Sequence, residues 1–429
     1  MTMSNRAQRS SNSFWAVLRN RDFRLLWAAG GLDNSGRWMD TVVMGLLVLG
    51  LTDSAFQVAL LFVFRWTPML LFALVSGMVA DRADRWMVMI VARGLTVAVT
   101  ATLLVLTALD AIEPWHLFLG SLALGWLFVL EFPSRRSFIY DLVGTRQLVG
   151  AMSMETINFT IGRLSGPFAA GVVIQVYGFT PAYILLTAIY GLAFVFTVLI
   201  EARIPAPAIG PFSFWSTVAA GVRYSLGNQM IRSLLGFTLI MNAMAFSVES
   251  LFPVVARDHL GVGAGLTGLL ISAQAIGTLV GATIIGLLAI IRYQGRIFCL
   301  GLLLQFSSLL LFALSPWYPL SFLLLLFSGI GAAGFSTMQS TIVMISATRE
   351  MRGSALGVLG QCIGIAAVGG VVVGAVADLL SARAAVGLST GLGLALLVPL
   401  MPFSPLARRP ITSPDTPTGP DGSTASEPR

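Results

Sequence analysis

Lysine is absent from this chain of 429 residues, so all 26 basic residues are arginines. That excludes a Walker A phosphate loop and Schiff-base chemistry, both of which need the lysine amine. Histidine is almost as scarce. His116 and His259 are the only two, both near expected helix ends. A histidine-based metal site or a serine–histidine catalytic pair is therefore disfavoured. Cys299 and Cys362 lie inside apolar runs and read as small hydrophobes, with no disulfide framework. Charge of either sign is rare, at 10% of residues against 56% hydrophobic, and mean hydropathy is +0.86. Soluble domains carry about a quarter charged residues, so this is the composition of an integral membrane protein. The expectation is a non-enzyme with no cofactor and no metal.

What the chain does have is long apolar runs. Segments near the roughly 20 residues needed to cross a bilayer fall at 25–50, 55–80, 87–109, 115–135, 150–176 and 182–200. They resume at 233–256, 265–291, 297–315, 318–345, 355–379 and 384–403. The fold expected is all-α and membrane-embedded, with twelve transmembrane helices in two pseudo-symmetric six-helix bundles. Its parts are a cytoplasmic N-terminal segment (1–24), a first bundle (25–200), a linker with a short amphipathic helix (201–232) and a second bundle (233–403). The Pro-, Ser-, Thr- and Gly-rich tail (404–429) reads as disordered. The first apolar run, which follows a basic start, is too long, and lacks the small-residue cleavage site, for a removable signal peptide.

Orientation follows from arginine placement. With both ends of the chain cytoplasmic, twenty arginines fall in cytoplasmic segments and only Arg257 and Arg383 outside. The remaining four, Arg37, Arg65, Arg93 and Arg163, lie within spans. The net charge of +7 is thus an orientation signal of a multi-pass protein of the cell (inner or plasma) membrane, and no nucleic-acid partner is implied. The two halves also carry a weak repeat. RQLVGAMSMETINFTIGRLSGPFAAGVVIQ and RGSALGVLGQCIGIAAVGGVVVGAVADLL each run from an arginine into a glycine-rich helix, about 206 residues apart. Paired six-span halves around a midplane cavity are a transporter architecture.

The charges inside the spans carry the functional signal. Asp33, Arg37 and Asp40, with Asn34 beside them, share one face of the first span at spacings of three, four and seven. Each charge at bilayer depth costs roughly 2.5–3.5 kcal/mol. Three on one stripe must pair or line a wet cavity. With Arg65 and Arg163 they make two acids and three bases, all in the first half, which predicts internal salt bridging with one base to spare. Arg93 and Glu155, each about 9 Å from a span end, are placed to snorkel or to pair with one another, and Glu131 to join Arg135. Glu249, in span 7, has no arginine at comparable depth in its own half. An unpaired carboxyl in low dielectric favours its neutral form, a property suited to carrying a proton; proximity to Arg257 offers the alternative of a lid residue. Asn158, Gln274, Asn242, Ser247, Gln305, Gln339 and Gln361 can each hydrogen-bond a substrate or glue two helices together, glue being the usual role of such residues. Trp27, Trp38, Trp66, Trp126, Phe64, Phe246 and Phe335 are candidates for an aromatic cavity wall.

Two motifs make the reading specific. The loop after span 2 is Gly77-Met-Val-Ala-Asp81-Arg82-Ala-Asp84-Arg85-Trp86. It resembles the signature of the major facilitator superfamily: a Gly, an Asp four residues on, an Arg next and a basic cluster, with Asp84 where the consensus has Gly. The resemblance implies that Asp81 faces a helix N-terminus or an arginine in one conformation and releases it in the other. Arg135, Arg136 and the start of span 11 near Gly353 and Ser354 are the expected partners, making Gly77, Asp81, Arg82, Arg85, Arg135 and Arg136 a gating loop. In span 5, Gly162, Gly166, Pro167 and Gly171 resemble the GPxxxG motif of the superfamily's antiporters, although small residues also serve plain helix packing. FRLLW, SAFQVALLFVFRWTPMLLFALVSGMVADR, LFPVVARDHLGVGAGLTGLLISAQAIGTLVGA and ATREMRGSALGVLGQCIG look like the enterobactin-exporter-like branch.

The function expected is secondary active transport by alternating access, exporting a small amphipathic molecule such as a drug or siderophore against protons. Asp33, Asn34, Arg37, Asp40, Arg65, Arg163 and Glu249 form the substrate and proton pathway. Import or lipid flipping on the same scaffold, and a non-transporting sensor or complex subunit, are the alternatives. The partners expected are a small-molecule substrate, protons and the bilayer, with the chain acting as a monomer.

Overall fold

The computed structural model describes residues 17–82, 84–203, 214–287, 294–348 and 351–408. The tail beyond 408 and the first part of the linker lie outside them. Among the described residues, eleven helices are long and apolar enough to cross a membrane: Ala55–Ala73, Arg85–Ala108, Pro114–Gly144, Met154–Tyr177, Phe179–Val198, Gln229–Asp258, Ala264–Ile285, Gln294–Leu314, Tyr318–Ser346, Ser354–Leu379 and Ala382–Phe403. These are α2 to α12. They are preceded by α1, Arg21–Thr52, whose 32 residues reach about 48 Å. Its charges keep its hydropathy low; Asp33, Arg37 and Asp40 at mid-helix are turned inward, while Arg21 and Arg24 at its start are exposed. The twelve helices form two bundles, as expected.

Helix ends are set by local chemistry. The Asn20 side chain accepts from the Asp22 and Phe23 amides at 2.9 and 3.2 Å and starts α1. Asp53 stops it in a left-handed conformation at φ 50°. Asp84, the departure from the superfamily signature, caps α3 by accepting from Trp86 and Met87. His116 closes a capping box with Glu113 at the start of α4. The other histidine, His259, bonds the Ser315 carbonyl at 3.1 Å. The run Pro114–Tyr177 is helical throughout except at Gly144, whose φ of 66° separates α4 from α5. Cys299 is buried and Cys362 half-buried.

In the first bundle α1 packs along α5 and α6, and α3 packs on α4 and α6. In the second, α8 and α9 pack on α10 while α12 covers α9 and α11. The halves meet along α2 with α11 and α5 with α8. The linker helix Phe214–Gly227 is fastened to the second half, where Tyr224 Oη accepts from the Thr348 amide and Asn228 Nδ2 donates to the Ser346 carbonyl.

The two ends of the molecule differ. One carries the α2–α3 connection and the linker and is rich in arginine; the other holds the connections around Asp53 and Arg257. Among the described residues, the hydrogen bonds between halves lie at mid-depth or toward the arginine-poor end. There Arg257 bonds the Leu49 carbonyl and Asp53, Asp378 meets Ser54 and Phe56, and Gln175 accepts from the Gly265 amide.

Candidate functional site

A cavity lies between the halves at mid-depth, enclosing about 1230 Å³ of empty space, open mouth included. Its wall takes charged side chains from both halves: Arg37, Asp40 and Arg65, Arg163, and Glu249 with Gln274.

The first-half charges pair as expected. Arg37 Nη2 meets Asp33 Oδ2 at 2.8 Å one turn away, and Arg65 Nη1 meets Asp40 Oδ2 at 3.0 Å. Asp33 stands behind Arg37 rather than on the wall. Asn34 is buried, and Nδ2 of its side chain has no partner among the described residues. Arg37 also stacks its guanidinium over Phe128 at 3.7 Å. The pairing leaves polar capacity on the wall. Arg37 Nη1, Trp38 Nε1 and Asp40 Oδ1 are buried without a partner among the described residues. Unmade hydrogen bonds at buried atoms cost roughly 1–3 kcal/mol each, so these atoms are free to bond a polar group or water entering the cavity.

The expectation of a solitary Glu249 is overturned. Its partner comes from the opposite half: Arg163 Nη2 stands 3.4 Å from both carboxylate oxygens. Gln274 completes the tie, accepting from Arg163 and donating to Glu249, both at 2.8 Å. The second half alone holds no such arginine at this depth; equal depth in two facing bundles brings together residues 86 apart in the chain. Irregular helix helps to place the acid. α7 passes from α-helix through a π turn, Asn242–Phe246, into a 3₁₀ turn, Ser247–Leu251, a kind of distortion found often at functional sites.

Apolar rings fill the rest of the wall. Phe62, Trp66 and Phe246 touch one another at centroid distances of 5.2–6.0 Å, and Trp38 meets Phe159 edge-on at 6.0 Å. Of the aromatics singled out in the sequence, Trp38, Trp66 and Phe246 line the cavity. Trp27 instead donates to the Met154 carbonyl, Trp126 packs on Phe72, Phe64 on Phe118, and Phe335 on Phe298. Phe62 was legible: it shares a helical face with Trp66, four residues on.

The remaining charges re-sort. Arg93 and Glu155 do not pair with each other. Arg93 holds Glu131 through two donors at 2.8 and 3.1 Å and also reaches Thr197, while Arg135 holds Glu155 at 2.9 Å. Glu131 is therefore Arg93's partner rather than Arg135's. Arg85 pairs with Asp141, a residue the sequence had not singled out. Arg136 is exposed and stacks over Phe132. Gly77, Asp81 and Arg82 fall in the helical continuation of α2, which runs on to Arg82; the surroundings of these residues and of Gly353 lie outside what is described. Asn158 and Gln339 act as glue, bonding the Trp27 carbonyl and Thr238.

The α5 motif is a two-sided packing strip. A Cβ on Gly162 would stand 2.7 Å from the Asn34 backbone, and one on Gly166 2.6 Å from the Ser35 carbonyl, so both glycines seat α5 on α1. Gly171 faces the other way, where a Cβ would lie 2.5 Å from the Ala264 carbonyl of α8. Pro167, between them, lines the cavity.

Over residues 12–413 the sequence matches the family described as transmembrane secretion effector. Enterobactin exporter EntS of Shigella dysenteriae serotype 1 is 28% identical over 351 residues, covering 78% of this chain and 83% of that relative. The same exporter from Escherichia coli matches to the same extent. Among solved structures, the nucleoside transporter NupG superposes with a TM-score of 0.67 at 18% identity, covering 89% of this chain and 98% of that one. A POT family transporter in complex with 5-aminolevulinic acid gives 0.74 at 12% identity, over 91% and 97%. A bacterial homologue of the human lysosomal transporter Spinster, inward-facing and unoccupied, gives 0.68 at 15%, over 90% and 95%. These structures speak for the fold alone.

Proposed function

This chain belongs to the transmembrane secretion effector family of the major facilitator superfamily, and on that footing we propose that it is a proton-coupled exporter of a small amphipathic molecule, working by alternating access as a monomer in the cell membrane. The arginine-rich end is the cytoplasmic one on this reading. The inter-half bonds then close the outer end, and the cavity serves the cytoplasmic side. The observation that carries the proposal is the Arg163–Glu249–Gln274 tie, which joins the halves through charged groups on the cavity wall itself. A ligand or proton arriving there acts directly on the contact between halves.

Export is supported by the enterobactin exporters among the relatives. Proton exchange is supported by Asp40. Arg65 holds one of its oxygens, and Oδ1 is without a partner among the described residues. A donor group of a substrate and a proton compete for that carboxylate, and mutual exclusion of the two is what antiport requires. Substrate enters from the cytoplasm onto ionised Asp40, the halves rock, and a proton from outside takes its place. Arg37, with Nη1 to spare, serves an acceptor on the substrate, and the Phe62, Trp66 and Phe246 rings take its apolar body.

Uptake into inside-out vesicles under an imposed pH gradient tests this with a panel of phenolic, cationic and anionic amphiphiles. At least one compound is expected to accumulate and to dissipate the gradient as it does so. Asp40→Asn is expected to bind that compound within a few-fold of wild type yet lose gradient-driven accumulation by about tenfold or more, consistent with the loss of one proton site. Wild-type accumulation by the variant would remove Asp40 from the coupling. No accumulation of any compound, with an unresponsive internal pH, would remove proton-coupled export altogether.

Gly171→Ala probes the rocking motion. The added methyl collides with the α8 backbone only while the outer end is closed, and overpacking of this kind costs roughly 1–3 kcal/mol. The expected result is a shift toward the outward-open form of about tenfold, read as labelling of a cavity cysteine from the outer face. Unchanged labelling from either face would show that α5 and α8 do not separate there.

A further inference from the structure

Helix α2 begins at the arginine-poor end with a cap drawn from both halves. Ser54, its own N-cap, accepts from the Gln57 amide at 3.3 Å. The Phe56 amide instead donates to Asp378 Oδ1 at 2.9 Å, and Ser54 Oγ donates to the same carboxylate at 3.1 Å. Asp378 stands at the far end of α11, in the second half, 322 residues away. An acid is placed well there, because the first turn of a helix leaves amides unpaired and carries partial positive charge. The helices beneath run close. A Cβ on Gly374, one turn before Asp378, would stand 2.6 Å from Ala59 of α2, and Gly370 faces Val63. The bond to Asp378 therefore exists only while α2 and α11 are pressed together at this end.

We propose that Asp378 is the outer latch of the transport cycle: its carboxylate completes the α2 cap when the outer end is shut and must let go for the end to open. The inference rests on the alternating-access reading above. It differs in kind from the Arg257 contacts beside it. Arg257 already has Asp258 of its own half as a partner at 2.6 Å, and an exposed pair of that sort is worth little. Asp378 is itself exposed, so its weight lies in the cap: the Phe56 amide has no intrahelical backbone acceptor, and the Ser54 hydroxyl oxygen already accepts from the Gln57 amide.

The test uses full-length protein in sealed vesicles of both orientations, with Cys299→Ala and Cys362→Ala as background and Thr41→Cys on the cavity wall as reporter. A membrane-impermeant maleimide labels the reporter from one face at a time. Asp378→Ala is expected to raise the ratio of outer to inner labelling about five-fold, within the range that cap losses span. Asp378→Asn keeps an acceptor but loses the charge, and is expected to raise it by about half as much on a logarithmic scale. Ser54→Ala combined with Asp378→Ala is expected to be less than additive, because the two share bonds. An unchanged ratio in both Asp378 variants, or equal gains from both faces, would overturn the latch. Gly171→Ala separates the two failures. If it shifts the ratio and the Asp378 variants do not, alternating access stands and the latch falls. If none of them shifts it, both fall.

Discussion

Arg163→Met is expected to cut transport by about 100-fold or more. The substitution leaves Glu249, on a largely buried cavity wall, with only the Gln274 amide as a partner. Removing one member of a buried pair costs about 3–5 kcal/mol, because the charge left behind is uncompensated. Here that penalty falls on the contact between halves, so it alters the balance of states as well as the stability of any one. Arg163→Lys is expected to recover little, since a lysine ammonium lacks the planar fork that reaches Glu249 and Gln274 together. The informative companion is Arg163→Met with Glu249→Leu. Two apolar side chains can replace a buried ion pair at little cost in stability, so this variant should regain thermal stability in detergent while transport stays lost. Recovery of transport in the double variant would reduce the tie to a structural rivet.

The opposite outcome is expected for Arg93→Met. Arg93 is only 2% exposed, and its guanidinium serves Glu131 and Thr197, all within the first bundle on α3, α4 and α6. Nothing in that cluster crosses between halves. Its loss should cost about 3–5 kcal/mol of folding stability by the same reasoning, read as a large drop in folded yield and thermal midpoint. Activity per folded molecule should stay within about two-fold of wild type, and Arg93→Met with Glu131→Leu should restore most of the yield. If transport per folded molecule falls while yield holds, the cluster belongs to the cycle. The pair of experiments separates two roles that buried arginines share on paper: holding one bundle together, and joining two bundles that must part.

Much of the architecture was legible because membrane solvation writes it plainly. The twelve spans fall in the expected order, since a bilayer tolerates only long apolar helices. Most start within a few residues of their expected place, although α4 runs nine residues further, to Gly144. The stripe on α1 was legible for the same reason, as charges at depth are too costly to be incidental. Partner choice was another matter. Arg93 with Glu131, and Arg135 with Glu155, are set by which helix faces meet, and depth alone assigns either acid to either base. Glu249 failed more instructively. It was judged against its own bundle, whereas the cavity brings two bundles to the same depth. Gln274 was noted only as one polar residue among several, and nothing in its neighbourhood distinguishes a bridge from glue. Asp378 and Asp141 carry no signal in the sequence, because acids near span ends are ordinary and their roles depend on a backbone amide or an arginine supplied from elsewhere in the chain.

The charged face of α1 also bears on how the protein is made. This helix leaves the ribosome before α2 and, with its buried charges, is poorly able to rest alone in lipid. Asp33 brings its own counter-charge in Arg37, one turn along. Asp40 does not: its counter-charge is Arg65, 25 residues later and on the next helix. Until α2 has been synthesised, α1 holds an uncompensated carboxylate, and the favourable course is for the two to enter the bilayer as a hairpin. The order of synthesis is thereby matched to the order in which charges find their partners, with α5 following to seat Gly162 and Gly166 on a helix already in place.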